Sequence, residues 1–121
     1  MRVSSTEDAP TLSRGDGLDS TILHGTHENP DTDLTVTWVE VDPGAEQVIH
    51  DHDPEQVYVV IAGEGAMTVG EERRAVAAGD LIHVPANTEH GIENTGDGVL
   101  EYVSAATPAF PASEVEAFYD A

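Results

Sequence analysis

The feature that most constrains this chain is its punctuation. Between Leu18 and Ala105, clusters of Gly, Pro, Asn and Asp interrupt the sequence again and again. The spacing of about 8–12 residues is that of strands joined by turns, and the segments between are too short for helices. The best-defined segment, Leu34 to Val41, is rich in β-branched and aromatic residues and stops at Asp42-Pro43-Gly44. Further strands are predicted at Leu18–Leu23, Ala45–His52, Gln56–Ala62, Ala66–Val69, Arg73–Ala77, Leu81–Val84, Glu89–Glu93 and Val99–Ala105. This is the signature of an all-β sandwich or barrel. The C-terminal end differs. Ser113-Glu114-Val115-Glu116 has the form of a capping box, and Val115, Phe118 and Tyr119 make one apolar stripe. That pattern predicts a short helix from about residue 113, lying on the barrel. Residues 1–17 are polar and hold Pro10, Gly15 and Gly17, which suits an N-terminal arm; residues 18–121 then form one domain.

Charge narrows the range of partners. The chain has 24 Asp and Glu against four Lys and Arg, all four of them arginine, for a formal charge of −20. No basic stripe exists to neutralise phosphates, so nucleic acid is not an expected partner. The carboxylates are spread over every loop, which reads as a surface adapted to high salt, where close screening suppresses their repulsion. This lysine-free composition resembles that of haloarchaeal proteins. There is no cysteine, so disulfides and thiolate metal sites are excluded. No apolar run approaches the ~18 residues of a membrane span, and the N-terminus lacks a secretory core. The expectation is a cytoplasmic protein without a membrane partner.

Two stretches carry the candidate chemistry. Gly44 to Gly63 contains His50 and His52, which share a face if the segment is extended, so that both imidazoles can reach one metal ion. Gln56 follows four residues later. Gly79 to Asn94 adds His90. Gly44, His50, His52, position 56 and Gly63 fall at the spacing of the first signature motif of the cupin family, with Gln56 where that motif has Glu. Gly79, Pro85, His90 and Asn94 match the second motif, with Asn87 where Gly is usual. Fifteen residues separate the two motifs. The chain thus resembles a small single-domain cupin.

The resemblance implies an antiparallel jelly-roll β-barrel with one divalent transition metal (Fe, Mn, Ni, Co or Zn) on His50, His52 and His90, and with Gln56 in the fourth place. It also implies a homodimer and a small-molecule ligand or substrate. An amide at position 56 leaves every protein ligand neutral and the site at net +2, which strengthens binding of anions. Glu55 is the alternative ligand, but a one-residue shift on a strand turns it to the opposite face. The leading expectation is a metal-dependent, dioxygenase-like enzyme acting on a small polar or anionic metabolite. The alternative is a non-catalytic binding or sensor protein using the same pocket. His24 and His27 are expected at the surface, Tyr58 and Trp38 in the core, and Asn94 in the turn after His90. His83 is a weaker candidate for the site.

Overall fold

The structure, a computed structural model, describes residues 1–51 and 53–111. Ten strands make up the described chain: β1 (Thr11–Ser13), β2 (Leu18–His24), β3 (Thr35–Val41), β4 (Glu46–His50), β5 (Glu55–Ala62), β6 (Glu64–Val69), β7 (Glu72–Ala77), β8 (Leu81–Val84), β9 (His90–Asn94) and β10 (Leu100–Thr107). They form two antiparallel sheets. One has six strands in the order β1-β2-β3-β10-β5-β8, and the other has four in the order β4-β9-β6-β7. β10 returns from the far end of the chain to lie between β3 and β5, with Val103 opposite both Trp38 and Val59. That non-local pairing is what closes the jelly roll.

Alternation decides which side chains enter the space between the sheets. On β5, Gln56, Tyr58 and Val60 are buried, whereas Glu55 and Ile61 are exposed. On β10 the inward row is Leu100, Tyr102, Ser104 and Ala106. Leu18, Val39, Val41, Val60, Met67, Ile92 and Leu100 pack into one core, each 3% exposed or less. Trp38 does not join it. It lies half-buried on the outer face, because Val39 and Val41 hold the inward register of β3. Residues 11–13, within the polar N-terminal segment, pair with β2 at the edge of the larger sheet.

Two turns show why particular residues stand where they do. Gly63 joins β5 to β6 with φ +85°, and a Cβ there would lie 2.6 Å from the carbonyl oxygen of Val99. Asn87, at the position where the motif it resembles has Gly, adopts φ 57°; Asn tolerates this left-handed conformation better than most other non-glycine side chains. The predicted helix from residue 113 lies outside the described residues.

Candidate metal centre

The site begins with an irregularity in β4. Gln47 pairs with Ile92 and His50 with His90, so three residues on β4 span two on β9. The extra residue is a β-bulge, which re-aims one side chain relative to the strand's alternation. In a regular strand Gln47 and His50 would face opposite ways. Here Gln47 is buried and His50 also turns inward, while Val48 and Ile49 are both exposed. Gly91 makes this possible, since the backbone of β4 crosses the place where its Cβ would stand.

The bulge brings the His50 and His90 rings together, with centroids 4.3 Å apart. Each ring is held by its own backbone. His50 Nδ1 donates to the carbonyl of Val48 at 2.7 Å, and His90 Nδ1 donates to the carbonyl of Thr88 at 2.8 Å. A carbonyl can only accept, so both imidazoles are fixed in the tautomer whose lone pair is on Nε2. That is the arrangement by which backbone partners prepare histidines for metal binding. His90 is completely buried. The Tyr58 ring meets it edge-on at 6.0 Å and stacks on Tyr102 at 4.6 Å, linking the two sheets across the interior.

Gln56 is 5% exposed, on the inward face of β5, and its Oε1 has no hydrogen-bond partner among the described residues. A hard amide oxygen and two borderline imidazole nitrogens form a donor set that suits first-row divalent metals. His52 lies outside the described residues, and among those described no three His, Cys, Asp or Glu side chains converge. The interior is also without charge: no Asp, Glu, Lys or Arg is buried in the described chain.

The remaining candidates fall elsewhere. Glu55 is on the outer face, where its Oε2 meets His83 Nε2 at 2.7 Å, both side chains about half exposed. His83 is therefore at the surface. His24 joins Arg2 and Thr32 near the N-terminus. His27 lies beside it, and burial, Arg2 and His24, in that order, lower its pKa from the ordinary value. Asn94 fixes the turn after β9. Its Nδ2 donates to the carbonyls of Val41 and Gly98, each at 2.8 Å, and its Oδ1 accepts from the Gly96 N–H at 2.9 Å. Sequence reasoning missed Gln47, since strict alternation from His50 sends it outward. A cleft of about 590 Å³ runs between β6–β7 and β8. Its lining includes Val69, which pairs with His90, and Ile82, which pairs with Tyr58, so it flanks the wall of the site.

Known proteins agree with this architecture. Residues 37–106 match the Cupin domain family. The chain is 32% identical over 74 residues to the uncharacterized protein MJ1618 of Methanocaldococcus jannaschii, covering 60% of this chain and 59% of that one. It is 28% identical over 94 residues to the dimethylsulfoniopropionate lyase DddW of Ruegeria pomeroyi, covering 78% and 61%. The chain thus spans about three fifths of the length of these curated relatives. Among solved structures, an RmlC-like cupin from Shewanella frigidimarina superposes with a TM-score of 0.77 at 26% identity, over 90% of this chain and 92% of that one. KdgF from Halomonas sp. shares the fold with a TM-score of 0.80 at 20% identity, over 93% and 98%. The match spans the strands that carry Gln47, His50, Gln56 and His90, and with the jelly roll around them it establishes that the chain belongs to the cupin family.

Proposed function

We propose that the barrel holds one divalent transition metal on His50, His52, Gln56 and His90, and that the chain is a metal-dependent enzyme acting on a small polar or anionic metabolite. The observation that carries this reading is the His50–His90 pair. Two imidazoles 4.3 Å apart are each locked by a backbone carbonyl in the tautomer that presents Nε2. The Oε1 of Gln56, with no hydrogen-bond partner among the described residues, supplies a further neutral donor in the same interior. A bound metal would supply open coordination positions and Lewis acidity, or one-electron chemistry with dioxygen. The chain's own residues orient and enclose: Tyr58 and Tyr102 wall the site, and the surrounding apolar core limits access of water.

With no buried carboxylate among the described residues, the interior offers no Asp or Glu as general base. That favours chemistry centred on the metal, and a dioxygenase-like reaction is the leading class. The test is turnover of candidate hydroxylated or carboxylated metabolites by chain stripped of metal and reloaded with Fe(II), under air and under nitrogen. Activity only with metal and air supports the reading. Equal activity under nitrogen refutes the oxygenase form and favours elimination, the class named for the Ruegeria relative. A second reading follows from 30% identity over 67 residues to the oxalate-binding protein of Thermotoga maritima, covering 54% of this chain and 55% of that one. It is a barrel that binds without turnover, seen as thermal stabilisation by ligand with no product.

The chain pairs with a second copy through the outer face of its larger sheet. Cross-strand neighbours there form an apolar row, Trp38–Val103–Val59–Leu81, and Ile61 and Leu81 are 44% and 61% exposed. This row, flanked on the same face by Glu55, Glu40 and Glu101, is the uncharged strip along which two copies of so acidic a molecule can meet. Light scattering in molar salt should give a dimer for the wild type and a monomer for Leu81→Glu. A monomeric wild type refutes it.

A further inference from the structure

We infer that Gln47 is a specificity-determining residue beside this metal site, and that the site selects ligands carrying a hydrogen-bond donor, a hydroxyl or an N–H, next to the group bound at the metal. The inference rests on the metal reading above. Gln47 is 8% exposed, yet its Oε1 is buried with no hydrogen-bond partner among the described residues. Buried side-chain oxygens are nearly always paired, and one left open weakens the fold unless a ligand or an ordered water completes it. The β4 bulge turns this side chain inward alongside His50. Its register partner, Ile92, is two residues along β9 from His90, a step of about 7 Å along the strand. Gln47 is thus beyond the histidine pair but within the span of a small molecule whose other end is at the metal.

The chemistry of the wall sets the class of ligand. Gln47 Oε1 accepts and cannot donate, so a carboxylate that meets this atom, rather than the Nε2 of the same amide, finds no partner. No Lys or Arg is buried in the described chain to receive a second anionic group. A dicarboxylate would therefore satisfy the metal at one end and leave its other end opposed by an acceptor. A hydroxy acid satisfies both, with its carboxylate at the metal and its hydroxyl donating to Gln47 Oε1.

The test is calorimetric titration of the metal-loaded full chain, in molar salt, with two probe pairs: glycolate against methoxyacetate, and 3-hydroxypropionate against 3-methoxypropionate. Within each pair the ligating carboxylate is the same, and a methyl replaces the hydroxyl hydrogen, which removes the donor and adds bulk. Wild type should favour the hydroxyl form of at least one pair about tenfold, the value of one hydrogen bond of ordinary strength. In Gln47→Leu that ratio should fall to about one. A steric preference for the smaller probe would survive the substitution and overturn the inference, as would no preference or no binding in the wild type. Ligand-free Gln47→Leu should melt no lower than wild type, because the partnerless acceptor is gone; a clear fall would make Gln47 a scaffold residue. Metal content of the same samples separates the two readings. Metal in both proteins with an unchanged ratio overturns the role of Gln47 alone, whereas no metal in either refutes the metal site and this inference with it.

Discussion

Gly91→Ala is the sharpest test of how the site is assembled. A Cβ at Gly91 would lie 2.7 Å from the carbonyl oxygen of Gln47, 3.1 Å from the amide nitrogen of Ile49 and 3.2 Å from its Cα. All three are backbone atoms of the β4 bulge, so no side chain can swing away. β4 must retreat until the shortest contact opens to about 3.4 Å. Overpacking of this kind costs typically about 1–3 kcal/mol, and a rigid backbone obstacle places it near the top, at about 3 kcal/mol. For a domain of this size that is a fall in Tm of about 10–15 °C. The same displacement draws His50 away from His90, so metal retention should fall as well, since metal–ligand distances tolerate only about 0.2 Å. Gly98 is the internal control, because an added Cβ there meets nothing within 4 Å. Gly98→Ala should stay within about 0.5 kcal/mol of wild type. The assay is denaturant unfolding of metal-free protein in molar salt, with melting temperatures in parallel. Gly91→Ala within about 0.5 kcal/mol of wild type, or Gly98→Ala falling as far, would refute the reasoning that the bulge is held by the absence of a side chain.

Other expectations follow from the same contacts. Asn94→Ala removes three hydrogen bonds and leaves the Val41 carbonyl buried without this donor; equilibrium unfolding should show a loss of about 2–3 kcal/mol, and a loss below 1 kcal/mol would be too small for the role described. Glu40 faces Asp19 and Glu101 across neighbouring strands, and burial first, then these carboxylates and Asp42, raise its pKa. Glu40→Gln should therefore stabilise the chain by about 0.2–1 kcal/mol in dilute buffer, with the gain shrinking in molar salt; a gain independent of salt would contradict it. The lowered pKa of His27 means that the unfolded chain takes up protons first as pH falls through its ordinary value of 6.5. Stability should thus be intact above that pH and decline as pH falls from there toward the folded value. His27→Gln should flatten that part of the profile, and an unchanged slope would remove His27 as its cause.

Most of the strand layout was legible because alternation and turn residues are local signals. The predicted strand Leu81–Val84 coincides with β8 at both ends, and the β3, β5 and β7 predictions differ from the observed strands by one residue at their starts. The outward position of Glu55 also followed from parity, since Gln56 and Tyr58 hold the inward register of β5. What escaped was set by contacts between distant segments. Gln47 enters the barrel only because β4 bulges across Gly91, and nothing within β4 announces that crossing. Trp38 reads as core by composition, but Val39 and Val41 fix the facing of β3 and leave the indole on the outer sheet surface. His83 reads as a possible site residue by type alone; its register opposite Val57 places it outside. For the site itself, motif spacing singled out His50, Gln56 and His90. The tautomers of the two histidines depend on the Val48 and Thr88 carbonyls and become visible only in three dimensions.

The measurement that bears most directly on the account is the metal content of untagged protein purified in molar salt, alongside His52→Ala and Gln56→Ala. The account predicts close to one Fe, Mn, Ni, Co or Zn per wild-type chain, lost in His52→Ala and reduced in Gln56→Ala. A wild-type chain that carries no metal and takes up none when these ions are added would contradict it.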